Sequence, residues 1–278
     1  MNKKIVFLDV DLTLITRKEE LVASAVEACR EARKNGHKLF ICTGRPRILV
    51  YDYIVNIGFD GMISSAGAKI RVGERDILDK SMPVELVKRV IDFALENKFP
   101  LLVEKNDYFS ITPDLSKWFD ETIYAERDKL TDPSLFVDTI MRHCDYNYLS
   151  FADTKKILFF DKDGNKPEKK QELIDKFGED YNIIYQPIAS SEKASIEING
   201  KSTTKGAAIE YLLNYLQVSA DDTIAFGDGD NDLEMFEICN KAVAMGNAKE
   251  TLKSKADFVT ADVTEDGLYK GFKEMGLI

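Results

Sequence analysis

The chain has 278 residues, 44% of them hydrophobic and 31% charged, with a formal net charge of -10. That is apolar material enough for one large domain or two ordinary ones with real cores, and the acid excess argues against nucleic acid as a partner. No apolar run approaches the ~20 residues that cross a bilayer, and the stretch after Met1-Asn2-Lys3-Lys4 is too short for a signal peptide, so a cytoplasmic protein with no membrane partner is expected.

Ile5 to Leu8 form a short apolar run of the buried-strand kind, followed at once by Asp9-Val10-Asp11-Leu12-Thr13. Composition alone yields roughly eight acid-x-acid pairs in this chain, so position and later motifs must carry the weight. Lys18 to Asn35 reads as an amphipathic helix stopped by Gly36, and Lys38 to Cys42 as a second strand ending in Thr43-Gly44-Arg45. Pro46 opens a helix expected over 46–57. Strand, helix, strand in that order implies a parallel sheet with a crossover helix. Asp60 to Ser65 is a third strand, and 67–80 a hairpin turning at Val72-Gly73-Glu74-Arg75-Asp76.

From Pro83 the pattern changes. A helix over Pro83–Asn97 precedes strands near Leu101–Val103 and Tyr108–Ile111. After a less regular section come a strand at Lys156–Phe160, a helix at Pro167–Phe177, and strands near Asn182–Gln186 and Ala194–Ile198. The two halves share a helix–strand–strand order, which suggests an inserted α+β unit over 83–189 with an open sheet. Residues 1–82 and 190–278 then form the Rossmann-like α/β core. Its return is a helix over Thr204–Leu216 carrying Lys205 in the first turn. A strand at Asp222–Phe226 follows and ends in Gly227-Asp228-Gly229-Asp230-Asn231-Asp232. A helix at Leu233–Cys239, a strand at Lys241–Met245, a short strand at Phe258-Val259 and a closing helix over Gly267–Met275 complete it.

Four elements therefore lie in order: Asp9-x-Asp11-x-Thr13, Thr43-Gly44-Arg45, Lys205, and Asp228-x-x-Asn231-Asp232. Three follow apolar strands that would be parallel and would open on one edge of the sheet, where open α/β folds bind ligands. The set suits phosphoryl transfer: a carboxylate to attack phosphorus, a hydroxyl and a lysine to hold its oxygens, and acids to hold a metal. Hard oxygen ligands without His or Cys select Mg²⁺. Without a cation the four acids would repel one another and a phosphate dianion.

These motifs, with the size and place of the insertion, resemble the haloacid dehalogenase (HAD) superfamily, and within it the Cof-type phosphatases with a large α/β cap. The resemblance covers nearly the whole chain. It implies a Mg²⁺-dependent phosphomonoester hydrolase acting on a small phosphorylated metabolite, a sugar phosphate by preference, as a monomer or weak homo-oligomer. It implies that Asp9 forms an aspartyl-phosphate and that Asp11 protonates the leaving oxygen and then activates water. It also implies Mg²⁺ on the side chains of Asp9 and Asp228 and the carbonyl of Asp11, with Asp232 in support. Thr43 and Gly44 would hold the phosphoryl group, Lys205 would neutralise it, and Asn231 would orient Lys205 or the phosphate. Two positions depart from the pattern. Leu12 stands where Gly is usual, which should alter the local backbone or the packing at the site mouth, and Ala66 in Ser65-Ala66-Gly67-Ala68 stands where Asn is common. A phosphomutase on the same core, told apart by its products, and a non-catalytic phospho-ligand-binding regulator, told apart by binding without turnover, are the rival readings. A dehalogenase would not need the metal-binding acids.

Simpler readings compete at single residues. Asp11, Thr13 and Thr43 could each be a strand-end cap, and Arg45 could bind substrate or pair with an acid. Cys29, Cys42, Cys144 and Cys239 are widely spaced and read as four reduced thiols, with no zinc expected beside only His37 and His143. Asp228–Asp232 and Asp161–Asn165 faintly resemble calcium loops, but Leu233 and Lys166 stand where Gly is required. Tyr108, Trp118 and Tyr124 could face a substrate or simply pack.

Overall fold

The computed structural model describes residues 3–119, 121, 134–161, 167–187 and 194–278. Tyr124 and the turn Lys162–Lys166 lie outside them. The chain divides into two compact units. The first comprises Met1–Arg45, Val50–Asp79 and Thr204–Ile278, the second Pro46–Leu49 and Lys80–Thr203.

The first unit opens with β1 (Ile5–Leu8), α1 (Ala23–Lys34), β2 (Lys38–Cys42), α2 (Asp52–Val55), β3 (Gly61–Ser64), β4 (Lys69–Val72) and β5 (Arg75–Asp79). The chain then builds the second unit from α3 (Val84–Glu96), β6 (Leu101–Glu104), β7 (Phe109–Ile111), α4 (Pro113–Trp118), α5 (Ser134–Arg142), β8 (Cys144–Asp145), β9 (Lys156–Asp161), α6 (Pro167–Phe177), β10 (Tyr181–Pro187) and β11 (Ala194–Gly200). It returns to the first with α7 (Lys205–Leu216), β12 (Thr223–Gly227), α8 (Leu233–Ile238), β13 (Lys241–Ala244), α9 (Glu250–Lys253), β14 (Phe258–Val259) and α10 (Gly267–Glu274).

The first sheet runs β14-β13-β12-β1-β2-β3-β4-β5. Its six strands from β14 to β3 are parallel, and β4 and β5 add an antiparallel hairpin. Strand alternation sorts the side chains by parity. Val6 and Leu8 join Ala25, Ala28 and Cys29 of α1 and Phe272 of α10 on one face. Ile5 and Phe7 join Ala208, Ile209 and Leu212 of α7 and Met235 of α8 on the other. Both faces of β1 are buried, which is why it reads as an unbroken apolar run.

The second sheet runs β10-β11-β9-β6-β7-β8 and is antiparallel except between β7 and β8. Helices α3 and α6 pack on one face through Val87, Val90, Ile91, Leu173 and Phe177. On the other lies a cluster with Leu102, Phe109, Trp118, Phe119 and Phe160. Trp118 is thus a packing residue, whereas Tyr108 is exposed.

Three expectations are corrected. The boundary expected at 189/190 places residues 194–203 in the core, yet they belong to the second unit because β11 is hydrogen-bonded between β10 and β9. The helix expected from Lys18 begins at Ala23, since Glu19 has φ +59 in a turn closed by the Glu19 amide on the Thr16 carbonyl. The helix expected over 46–57 is a 3-10 turn at Arg47–Leu49 and α2, broken by extended Tyr51. Leu49 is buried in the second unit's core and Ile54 in the first's.

Candidate active site

The register sets Leu8 beside Ile41 of β2 and Phe226 of β12, so three parallel strands end together. The Asp9 amide continues the ladder to the Phe226 carbonyl at 3.1 Å. By parity Asp9 follows Ile5 and Phe7 onto the α7 face. Helix α7 is capped there by the Thr204 hydroxyl, which accepts the Ala207 amide at 3.2 Å, and Lys205 is its first residue. The turn after β3 approaches this cap so closely that a Cβ on Gly67 (φ +102) would lie 2.2 Å from the Thr204 carbonyl oxygen. Only glycine fits there.

Lys205 Nζ donates to Asp9 Oδ1 and to Asp232 Oδ1, each at 2.6 Å, with all three side chains buried. Asp232 Oδ2 accepts the amides of Asp228 and Gly229 at 3.0 Å each, which folds the loop after β12 around it. One carboxylate oxygen each from Asp9, Asp228 and Asp232 lie within 4.8 Å of one another. Three acids thus share one ammonium.

Burial, opposed by Lys205 and aided by Asp232, Asp11 and Asp228, pushes the Asp9 carboxyl well above its ordinary range. Burial and Asp232 push Asp228 up to about 7. Burial alone would lower the Lys205 ammonium, but Asp232 and Asp9 outweigh it and hold the proton firmly. Such a surplus of buried negative charge fits a divalent cation, and the donor set is all carboxylate oxygen, as a hard ion requires. Asp9 and Asp228 would be its side-chain ligands. Both oxygens of Asp232 are already engaged, by Lys205 and by two amides, so it shapes the loop and supports the site.

Asp11 lies outside that cluster. Its half-exposed carboxylate receives Arg45 Nη2 at 2.5 Å and Nε at 3.0 Å. Thr43 is fully buried, and its hydroxyl accepts the Arg45 amide at 3.1 Å, which leaves its own proton available to an oxygen ligand. Gly44 follows, and a Cβ added there would meet nothing within 4 Å. Asn231, expected to orient Lys205 or the phosphate, is exposed and lies over Gly229, and the Lys205 ammonium is held by Asp9 and Asp232. The Thr13 hydroxyl is buried without a partner among the described residues.

Leu12 takes φ +56, the left-handed conformation that suits glycine, at a cost of about 1–2 kcal/mol. Asn247 Nδ2 donates to the Leu12 carbonyl at 2.9 Å while its Oδ1 accepts the Val263 amide, tying this turn to the far end of the chain. Ala66 is also left-handed, at φ +54. Asn247, Glu19 beside Arg45, and Lys249, whose amide binds the Asp228 carbonyl, escape sequence reasoning because each acts through a distant loop. All four cysteines are free thiols. His37 is buried and accepts the Lys4 amide through Nδ1 at 3.0 Å, and His143 is exposed.

A family model of haloacid dehalogenase-like hydrolases matches residues 6–272. The YkrA protein of Bacillus subtilis (strain 168) is 27% identical over 278 residues, with both chains covered completely. The 5-amino-6-(5-phospho-D-ribitylamino)uracil phosphatase YwtE of the same organism is 28% identical, with 95% of each chain covered. Among solved structures, the HAD subclass IIB sugar phosphatase BT4131 superposes with a TM-score of 0.78 at 26% identity, over 99% of this chain and 100% of that one. The chain belongs to the haloacid dehalogenase-like hydrolases and is a phosphatase of that superfamily.

Proposed function

We propose that the protein is a Mg²⁺-dependent phosphomonoester hydrolase that works through phosphorylated Asp9 on a small sugar or polyol phosphate. The observation that carries this reading is the buried cluster in which Asp9 ends β1, bonds Lys205 at 2.6 Å and shares its space with Asp228 and Asp232.

Asp9 attacks phosphorus while Asp11 delivers a proton to the departing alkoxide. Asp11 then takes a proton from the water that cleaves the acyl phosphate, which frees the Asp9 carboxylate and leaves Asp11 protonated for the next turnover. Lys205 and the Thr43 hydroxyl hold the phosphoryl oxygens, with Gly44 and Asn231 beside them. Mg²⁺, held by Asp9, Asp228 and the Asp11 carbonyl with Asp232 behind, would supply the positive charge that lets an acidic pocket accept a dianion. The inserted unit acts as the cap that selects the leaving group. The sugar or polyol class is supported by what BT4131 and YwtE are named for. No described helix is long and apolar enough to cross a membrane. On this reading the protein works in the cytoplasm as a monomer or weak homo-oligomer.

The test is phosphate release from p-nitrophenyl phosphate and a panel of sugar and polyol phosphates, with Mg²⁺ and with EDTA. Asp9→Asn should lose turnover to the detection limit with an unchanged circular dichroism spectrum. An active Asp9→Asn would remove the nucleophile assignment, and full turnover in EDTA the metal.

A further inference from the structure

Several contacts within the first unit hold Arg45. Its amide donates to the Thr43 hydroxyl at 3.1 Å and its carbonyl accepts the Ser65 amide at 2.8 Å. Its guanidinium lies 5.6 Å from the centre of the Tyr51 ring, and Nη2 donates to Glu19 Oε1 at 2.7 Å. Glu19 is itself anchored: it sits in a left-handed turn, and its carbonyl accepts the Tyr53 hydroxyl at 2.8 Å. The Arg45 and Glu19 side chains are only 10% and 14% exposed, whereas Asp11, gripped by both Nε and Nη2 of Arg45, is 51% exposed. An ordinary surface ion pair has two mobile ends and little consequence. Here one end is largely buried and held by several contacts, and a two-point guanidinium contact sets the carboxylate's direction as well as its place.

We propose that Arg45, braced by Glu19, is the positioning residue for Asp11. This rests on the reading of Asp11 as the acid that protonates the leaving group. Proton transfer is sensitive to small displacements of the donor, so the Glu19–Arg45 brace supplies an alignment that a half-exposed aspartate would otherwise lack. Arg45 itself touches no reacting atom in this role.

The experiment compares kcat/KM for phenyl phosphate, whose leaving group needs a proton, with that for p-nitrophenyl phosphate, whose leaving group does not. Arg45→Ala should lose about 30-fold or more on the first and less than about 5-fold on the second, parallel to Asp11→Ala. Arg45→Lys should fall between, since an ammonium makes no two-point contact. Glu19→Gln, a milder change that keeps Arg45, should shift the ratio in the same direction, and thermal melts check that each variant is folded. Equal losses on both esters, or a gain on either, would overturn the proposal. If Asp11→Ala showed no leaving-group bias while Asp9→Asn was dead, the acid role of Asp11 would fall and this inference with it, while the nucleophile reading stood.

Discussion

Each unit buries a lysine between two carboxylates, and only one of these triads has the makings of a catalytic centre. In the second unit Lys156 Nζ lies 3.5 Å from Glu104 Oε2 and 3.2 Å from Glu197 Oε2. The three sit on neighbouring strands β9, β6 and β11, with Glu104 directly across from Lys156. Burial alone would lower the Lys156 ammonium, but Glu104 and Glu197 outweigh it, as Asp232 and Asp9 do for Lys205. Electrostatics of the lysine therefore does not separate the triads. Position does. The Lys156 triad lies within a sheet, while the Lys205 triad lies where parallel strands end and their loops part, with Asp228 added to the charge. One ammonium between two carboxylates inside a sheet is a structural cross-link, and the Lys205 group, one carboxylate more negative and at a strand edge, is a place for a cation and an anion.

The sharpest way to break this comparison is to remove each lysine. Lys205→Met should reduce kcat by about 10²–10³-fold in whatever fraction folds, as expected for losing a charge that steadies a transition state. Lys156→Met should instead cost about 3–5 kcal/mol of stability by leaving two buried glutamates face to face, with little change in kcat per folded molecule. Urea titration beside initial rates separates the two. A Lys156 variant that folds well but turns over as poorly as the Lys205 one would erase the distinction.

Metal and pH sharpen it next. Asp228 has a folded-state value of about 7, well above the ordinary carboxylate range. A raised acid binds more protons in the folded state than in the unfolded state, so without divalent cation its contribution to stability falls as pH rises from about 4 to about 7. Asp228→Asn should remove that portion of the slope, and saturating Mg²⁺ should raise the wild-type melting temperature more than that of the variant. Melting curves in EDTA and in Mg²⁺ across this range provide the check, and identical wild-type and variant slopes in EDTA would contradict the assignment.

The smallest effects concern left-handed residues. Lys98 in the second unit closes α3, its amide on the Leu95 carbonyl, and Leu12 in the first carries the turn after Asp11. Replacing either with glycine should stabilise by up to about 1 kcal/mol, since relief of strain slightly exceeds the added freedom of the unfolded chain. Only Leu12→Gly should also alter kcat, because only that turn holds the acid.

Much of the first unit was legible because its strands are buried on both faces and announce themselves as apolar runs ending in acids or Thr-Gly. Asp9, Lys205, Asp228 and Asp232 could be named from residue type and place along the chain. Helix starts at Ala23 and in the broken stretch 46–57 could not, since a turn at Glu19 and the division of Leu49 and Ile54 between two cores leave no local signal. Helices α4 and α5 and strand β8 went unseen because their apolar residues serve a cluster assembled from remote segments.

Local chemistry determined the kinds of groups present: which strands are buried, where they stop, and that carboxylates, a hydroxyl and an ammonium wait at their ends. Tertiary structure alone decided which of them meet. Lys205 reaches Asp9 across 196 positions of sequence, and Arg45 takes Asp11 while Asp232 spends both oxygens on Lys205 and its own loop. Hydrogen bonds act over about 3 Å, and such distances are set by sheet register and loop closure, which no short stretch of sequence encodes.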